Sequence, residues 1–407
     1  MSAKDPSKMR ADLTRSPALP ADLDRFGAER RRFLAESAVY GTGGILAELG
    51  LSRYAAAQAP PATAGGASPG APATAHCFGM RRPPMAPEPK VSQPAPLHDL
   101  EGKVAYITAS SDGIGLGIAR AASNAGMKVC IGYRNEERLK AALPLFKPGN
   151  AGVFPVKHDV TDRQAWARVL GQIKSQYGRL HLVVNNAGDK SLAWASKATY
   201  AQWDNAVAVN YTATYNSVAV CLPHMLEHGE GSHIVVTSSM SGLLPGGPFG
   251  VYTATKIAAV GLIEALRVEL EGTTVGTSAF CPGGVNTDNY LGTGEENPFR
   301  KSHPPPAAFR RFFKGPPPGM DPLEAGERVL NGVIHNDLFI ITHPEYMPGT
   351  HQRFEAMLAS EPVDEYPPPP EARVKGEAPV LHCGIYPREI VHRKQKRKSF
   401  RSVTLKA

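Results

Sequence analysis

Residues 103–126 constrain what this chain can fold into more than any other stretch. Lys103–Thr108 reads K-V-A-Y-I-T, an apolar run of strand length. A-S-S-D-G-I-G-L-G follows, then I-A-R-A-A-S-N-A-G, a helical pattern that ends at Gly126. Strand, glycine-rich turn and helix in this order are what a dinucleotide pyrophosphate needs. Glycines let the backbone approach it, and the helix N-terminus offers free N–H groups at the positive end of a dipole.

The same alternation continues down the chain. A second strand reads at Lys128–Gly132 and a third precedes His158-Asp159-Val160. A fourth, Leu182–Val184, runs into Asn185-Asn186-Ala187-Gly188, and a fifth, His233–Thr237, ends at Ser238-Ser239. A sixth, Thr277–Phe280, leads to Pro282-Gly283-Gly284-Val285-Asn286-Thr287. Strands separated by helices predict an α/β protein with a doubly wound parallel sheet, Rossmann-like, and a site at the strand C-terminal ends.

Residues 239–256 carry the chemistry. Ser239 precedes Tyr252, and Lys256 follows in the run Y-T-A-T-K. On a helix, Tyr252 and Lys256 share one face, which sets an ammonium beside a phenol. A neighbouring cation favours the phenolate, so Tyr252 is expected to have a lowered pKa and to act as general acid or base on a C–OH/C=O pair. Ser239 is placed to hold the same oxygen. The bland alternative is a packed Tyr and a solvated Lys, since both are common on helices.

Taken in order, these motifs resemble the short-chain dehydrogenase/reductase family over about residues 98–345. Thr108-x-x-x-Gly113-x-Gly115 resembles its cofactor turn, with Ser110 and Ile114 inside it. Asp159-Val160 matches its adenine-contacting pair, and Asn186-Ala187-Gly188 the segment along the cofactor. Pro282-Gly283, Val285 and Thr287 match the stretch at the nicotinamide carboxamide. Asn210, Ser239, Tyr252 and Lys256 match its catalytic tetrad. The resemblance implies an NAD(P)-dependent oxidoreductase acting on a secondary alcohol or ketone. Tyr252 would exchange the proton, Lys256 would tune it and bind the nicotinamide ribose, Ser239 would orient the substrate oxygen, and Asn210 would hold a water leading to Lys256. A homodimer or homotetramer is also implied.

Two positions depart from the pattern. Ala109 stands where the family usually has glycine, and can make the turn only if φ stays negative. Asp112 puts a carboxylate near the expected pyrophosphate. At the end of the second strand, Tyr133 and Arg134 replace the acid that would bind a ribose 2′-OH. A guanidinium there suits a 2′-phosphate, so NADP(H) is expected over NAD(H), although NAD(H) remains usable. The alternative is a solvated Arg134 at a helix start.

The chain has 407 residues, against roughly 200–250 for one α/β domain. Residues 98–360 are read as the catalytic domain, with a substrate lid over 288–319. That lid carries Phe299, Phe309, Phe312 and Phe313 among cations and suits a bulky or ring-bearing substrate. Residues 1–59 read as a twin-arginine-like export signal: Arg30-Arg31-Arg32-Phe33-Leu34, a mildly apolar run, then Ala57-Gln58-Ala59. A periplasmic enzyme is expected on this reading, and a cytoplasmic one if the segment is instead a basic amphipathic helix. Exported enzyme would meet little free cofactor, which implies a nucleotide loaded before export and released more slowly than turnover. The apolar run is too short to span a membrane, and no integral membrane domain is expected.

Residues 60–97 are rich in proline, alanine and glycine and read as a linker. Residues 361–407 begin proline-rich and end basic. The last twenty hold eight Lys or Arg against one Glu, most of the formal net charge of +8. Such a run is expected to be a solvated, disordered tail. Nothing resembles a nucleic-acid-binding motif. Cys77, Cys130, Cys221, Cys281 and Cys383 show no metal-ligand spacing, so no metal is expected. Two rival functions stand: a non-catalytic nucleotide-binding or regulatory protein that kept the fold, and a tether whose tail and linker are the main function.

Overall fold

The computed structural model describes residues 95–146, 153–190, 193–246, 249–287, 319–360 and 384–396. The expected signal, nearly all of the expected linker and lid, and Cys77 and Cys383 lie outside them.

A seven-stranded parallel sheet forms the centre: β1 Val104–Ile107, β2 Lys128–Tyr133, β3 Val153–Lys157, β4 Leu182–Asn185, β5 Ser232–Thr237, β6 Val275–Cys281 and β7 Phe339–Ile341. Their order is β3-β2-β1-β4-β5-β6-β7, with every pair parallel. The chain winds outward one way to β3, then crosses back to β4 beside β1. That reversal opens a crevice at the C-terminal ends of β1 and β4. Pro155 is tolerated in β3 because β3 is an edge strand.

Helices cover both faces: α1 Gly113–Asn124, α2 Glu136–Ala142, α3 Arg163–Tyr177, α4 Tyr200–Val207, α5 Ala213–His228, α6 Gly250–Glu269, α7 Pro322–His335, α8 Met347–Ala359 and α9 Ile385–Lys396. Strand side chains alternate between two cores. Val104 and Tyr106 join Trp166, Met225 and Ile263 on one side, whereas Ala105 and Ile107 join Ile118, Val329 and Leu330 on the other. Burial on both faces explains why the strands read as continuous apolar runs. Against α7, α1 packs glycine on glycine. A Cβ on Gly117 would lie 1.8 Å from the Pro322 carbonyl oxygen, and one on Gly326 would lie 2.4 Å from that of Gly117.

Two expectations need correction. Ala109 adopts φ 49, the left-handed region, so the turn keeps the conformation a glycine would give it and the alanine absorbs the strain. Part of the expected disordered tail is ordered. Residues 385–396 form α9, which buries Ile385, Val391 and His392. His392 Nε2 lies 3.1 Å from Asp337 Oδ1, and Arg393 Nη1 lies 3.5 Å from Asp337 Oδ2. Asp337 is fully buried just before β7. The positive charge of the tail thus offsets an acid in the fold instead of facing only water.

Candidate active site

A cleft of about 920 Å³ runs across the C-terminal ends of the strands. Its floor begins at the turn after β1. Asp112 caps α1: its Oδ1 accepts from Gly113 N–H at 2.6 Å, and its other oxygen pairs with Arg138 on α2. The carboxylate therefore occupies the helix N-terminus as a cap. Gly113, with φ 54, leaves room for Thr287, which its Cβ would touch at 3.2 Å.

Thr108, Ser110 and Gly115 stand behind the cleft and do not line it. Thr108 Oγ1 accepts from the N–H groups of Asn186 and Ala187 at 2.8 and 2.9 Å. Ser110 Oγ donates to Ile107 O at 2.7 Å. A Cβ on Gly115 would sit 2.3 Å from Ala109 O. These three tie the turn to β1 and β4, and so place the Asn186-Ala187-Gly188 segment along the cleft. Gly113, Ile114, Arg134, Asp159, Val160, Asn186, Ala187, Gly188, Pro282, Gly283, Val285 and Thr287 do line it.

At the β2 end, Arg134 Nη1 pairs with Asp159 Oδ2 at 3.5 Å. Burial raises the Asp159 carboxyl, but hydrogen bonds from Thr161 and the Arg134 charge together hold it below its ordinary value. Arg138 is not marked by the sequence, because nothing local makes an arginine in the first turn of α2 a cleft residue.

At the other end, α6 presents Tyr252 and Lys256 and the β5 turn presents Ser239. Lys256 is buried and its Nζ donates to Thr237 O at 2.7 Å, 5.5 Å from the Tyr252 ring centre. The Ser239 Oγ accepts from Ser241 N–H at 3.1 Å. Burial pushes Tyr252 up to about 12; the Ser239 hydroxyl opposes this, while Cys281 and Asp189 add to it. Burial also pushes Lys256 down to about 8, opposed by Cys281 and Asp189. The expected lowering of Tyr252 by Lys256 is thus overturned. Desolvation disfavours both charges, and the ammonium is turned toward a carbonyl. Tyr252 rests protonated.

Asn210 is buried in a π-helical turn, Ala208–Thr212, between α4 and α5. It does not line the cleft. Its Nδ2 donates to Asp189 O at 2.9 Å and Thr255 Oγ1 at 3.0 Å, and its Oδ1 accepts from Asp189 N–H at 2.7 Å. The side chain clamps the β4 loop to α6, next to Lys256. A further brace is His343. Gly283 N–H donates to its Nδ1 at 3.0 Å, and its Nε2 lies 3.0 Å from Gly284 O.

Comparison with known proteins agrees with this architecture. Residues 103–297 match the family model described as short chain dehydrogenase. The 2,5-dichloro-2,5-cyclohexadiene-1,4-diol dehydrogenase LinX of Sphingobium indicum is 31% identical over 188 residues, 46% of this chain and 75% of LinX. The chain belongs to the short-chain dehydrogenase family. This dehydrogenase is also 27% identical over 288 residues to a C alpha-dehydrogenase of Sphingobium, covering 69% of the chain and 93% of that enzyme. A crystal structure of a Burkholderia phymatum short chain dehydrogenase/reductase in complex with NAD superposes with TM-score 0.61 at 26% identity, over 66% of this chain and 99% of that one. Family membership makes the protein an oxidoreductase of a class that uses nicotinamide nucleotides. The cleft fits such a group: it runs from the β2 end past a helix N-terminus to Tyr252 and is lined by glycines where backbone must approach.

Proposed function

We propose that this dehydrogenase moves a hydride between NADP(H) and a ring-bearing secondary alcohol or ketone. The observation that carries the reading is convergence: Ser239, Tyr252 and Lys256, from two elements, meet at one end of the cleft that the glycine-rich turn also lines. The nicotinamide would supply or accept the hydride. Gly113, Ile114 and Thr287 would hold its phosphates and carboxamide end, and Lys256 its ribose. Protonated Tyr252 gives its proton to a carbonyl oxygen held by Ser239, or recovers it from an alcohol. Lys256 keeps that exchange close to a positive charge.

Arg134 and Arg138 support the NADP(H) preference, since both guanidiniums line the β2 end where an acid is missing. The pairs Arg134–Asp159 and Arg138–Asp112 would open to a 2′-phosphate, which both cations can hold by charge-assisted bonds. Met240, Leu244, Phe249 and Tyr346 make the substrate end apolar and aromatic. LinX, which is named for a cyclic diol, points to the same substrate class.

Tyr252→Phe tests the reading. Turnover is expected to fall roughly 10²–10⁴-fold, while fluorescence titration still shows NADPH bound more tightly than NADH. A variant with full turnover would sink the mechanism, and equal affinities would sink the cofactor preference.

A further inference from the structure

Gly349 stands in the first turn of α8, outside the cleft, with a φ that is not positive. The backbone there does not need a glycine, and an alanine would favour the helix. The reason for the glycine is one of packing. A Cβ on Gly349 would lie 2.7 Å from Leu244 Cδ2 and 3.3 Å from Leu244 Cδ1, both inside the usual separation of carbon atoms in contact. Leu244 lines the substrate end of the cleft with Met240, Phe249 and Tyr346. Its side chain therefore has α8 behind it and the cleft beside it.

The backbone is fastened on both sides of this contact. Leu244 N–H donates to Met240 O at 2.8 Å, and Met240 N–H donates to Pro282 O at 2.9 Å. Pro245 follows and narrows the backbone angles open to Leu244. From α8, Arg353 Nη1 donates to Leu243 O at 2.9 Å. At the start of that helix, buried Thr350 donates to Tyr346 O at 3.2 Å, and Tyr346 N–H donates to His343 O at 3.3 Å. His343 is the residue that brackets Gly283 and Gly284. Both walls thus hang from the loop after β6, and moving them apart would break these bonds. The end of the Leu244 side chain is the part that can move, by a change of rotamer, and the open space beside it is the cleft.

We propose that Gly349 is a specificity-determining residue that lets Leu244 lie back against α8 and so sets the width of the substrate end of the cleft. The inference rests on the functional reading given above and sharpens it: ring width at the Leu244 wall is the property by which the enzyme selects its alcohol or ketone. Gly349 lies outside the cleft and acts only through Leu244, so a single added methyl is enough to narrow the site.

Gly349→Ala in the full-length protein is the test. In its crystal structure, compared with that of the wild type, Leu244 is expected to have turned into the cleft with α8 in place. An unmoved Leu244, or a displaced α8 in its stead, overturns the proposal. The functional readout is a ratio, kcat/KM with NADPH for 2-decalone over that for cyclohexanone. It is expected to fall roughly tenfold or more, the usual effect of one carbon in a fitted pocket, and to recover when Gly349→Ala is combined with Leu244→Ala. A loss of folded protein alone lowers both constants together and leaves the ratio as it was. An unchanged ratio in the folded variant overturns the proposal. If Gly349→Ala does not fold, Leu244→Ala by itself is expected to raise the ratio, and an unchanged ratio there is equally fatal. The crystallographic readout needs no turnover, so it fails separately from the mechanism, which Tyr252→Phe tests.

Discussion

Ala109 shows how a single side chain can hold a site under strain. With φ 49, its Cβ crowds the following carbonyl in a turn that the cleft needs. The turn is kept because its neighbours fix it: Asn186 reaches the Thr108 and Ala109 carbonyls, and Ser110 N–H donates to Gly132 O at 2.8 Å. Ala109→Gly is therefore expected to stabilise the protein by about 0.5–1 kcal/mol, read as a rise in the urea midpoint at unchanged slope. The sequence marks Ala109 as unusual but not its backbone angle, which only the surrounding bonds decide. That Ser239, Tyr252 and Lys256 come together at the cleft was legible, because spacing along one turn and one helix sets it. Arg138 was not, since its place at the cleft comes from what other elements bring beside it.

At the scale of elements, β4 and α5 meet in a histidine cluster at the end of the sheet opposite the cleft. The His181 and His228 rings lie 5.3 Å apart, and His224 and His228 lie 5.1 Å apart. His181 Nδ1 accepts from Val104 N–H at 3.1 Å, and its Nε2 lies 2.8 Å from Glu230. The nitrogen that would take a second proton is thus already occupied. Burial pushes His181 down to about 4, and the charges of Lys103, His228, Arg179 and His224 act in the same direction. The nearby Glu230 does not reverse this, because it is shared with Lys103 and Arg179. His158, at the end of β3, is likewise pushed down to about 4, chiefly by burial. Both histidines are neutral when folded and take protons first when unfolded. Their contribution is complete above about pH 6.5 and is lost as pH falls toward 4. The thermal midpoint is expected to drop across that window, and to drop less steeply in His181→Gln. Strand patterns reveal none of this, since a histidine at a strand start reads the same whether its ring is paired or solvated.

For the whole molecule, the doubly wound parallel sheet was legible. Each strand read as a buried run between helical patterns, and short connections leave few ways to wind it. The role of α9 was not legible. Its lysines and arginines mask Ile385 and Val391, and the acid it answers lies far upstream. Ending the chain at Ser360 would remove His392 and Arg393 from buried Asp337, the Arg388–Glu271 pair and the Tyr386–Glu264 bond. That truncation is expected to lower the thermal midpoint by several degrees, and unchanged melting would show that α9 is dispensable. The same docking bears on biosynthesis. Asp337 and His392 are 55 residues apart, so translation at about 5–20 residues per second separates them by roughly 3–11 s. Once β7 is made, the nascent chain has all seven strands of the described sheet but not the helix that answers Asp337. The β7 edge is sealed only by residues made several seconds after it, so a chain released within that interval keeps the seam open.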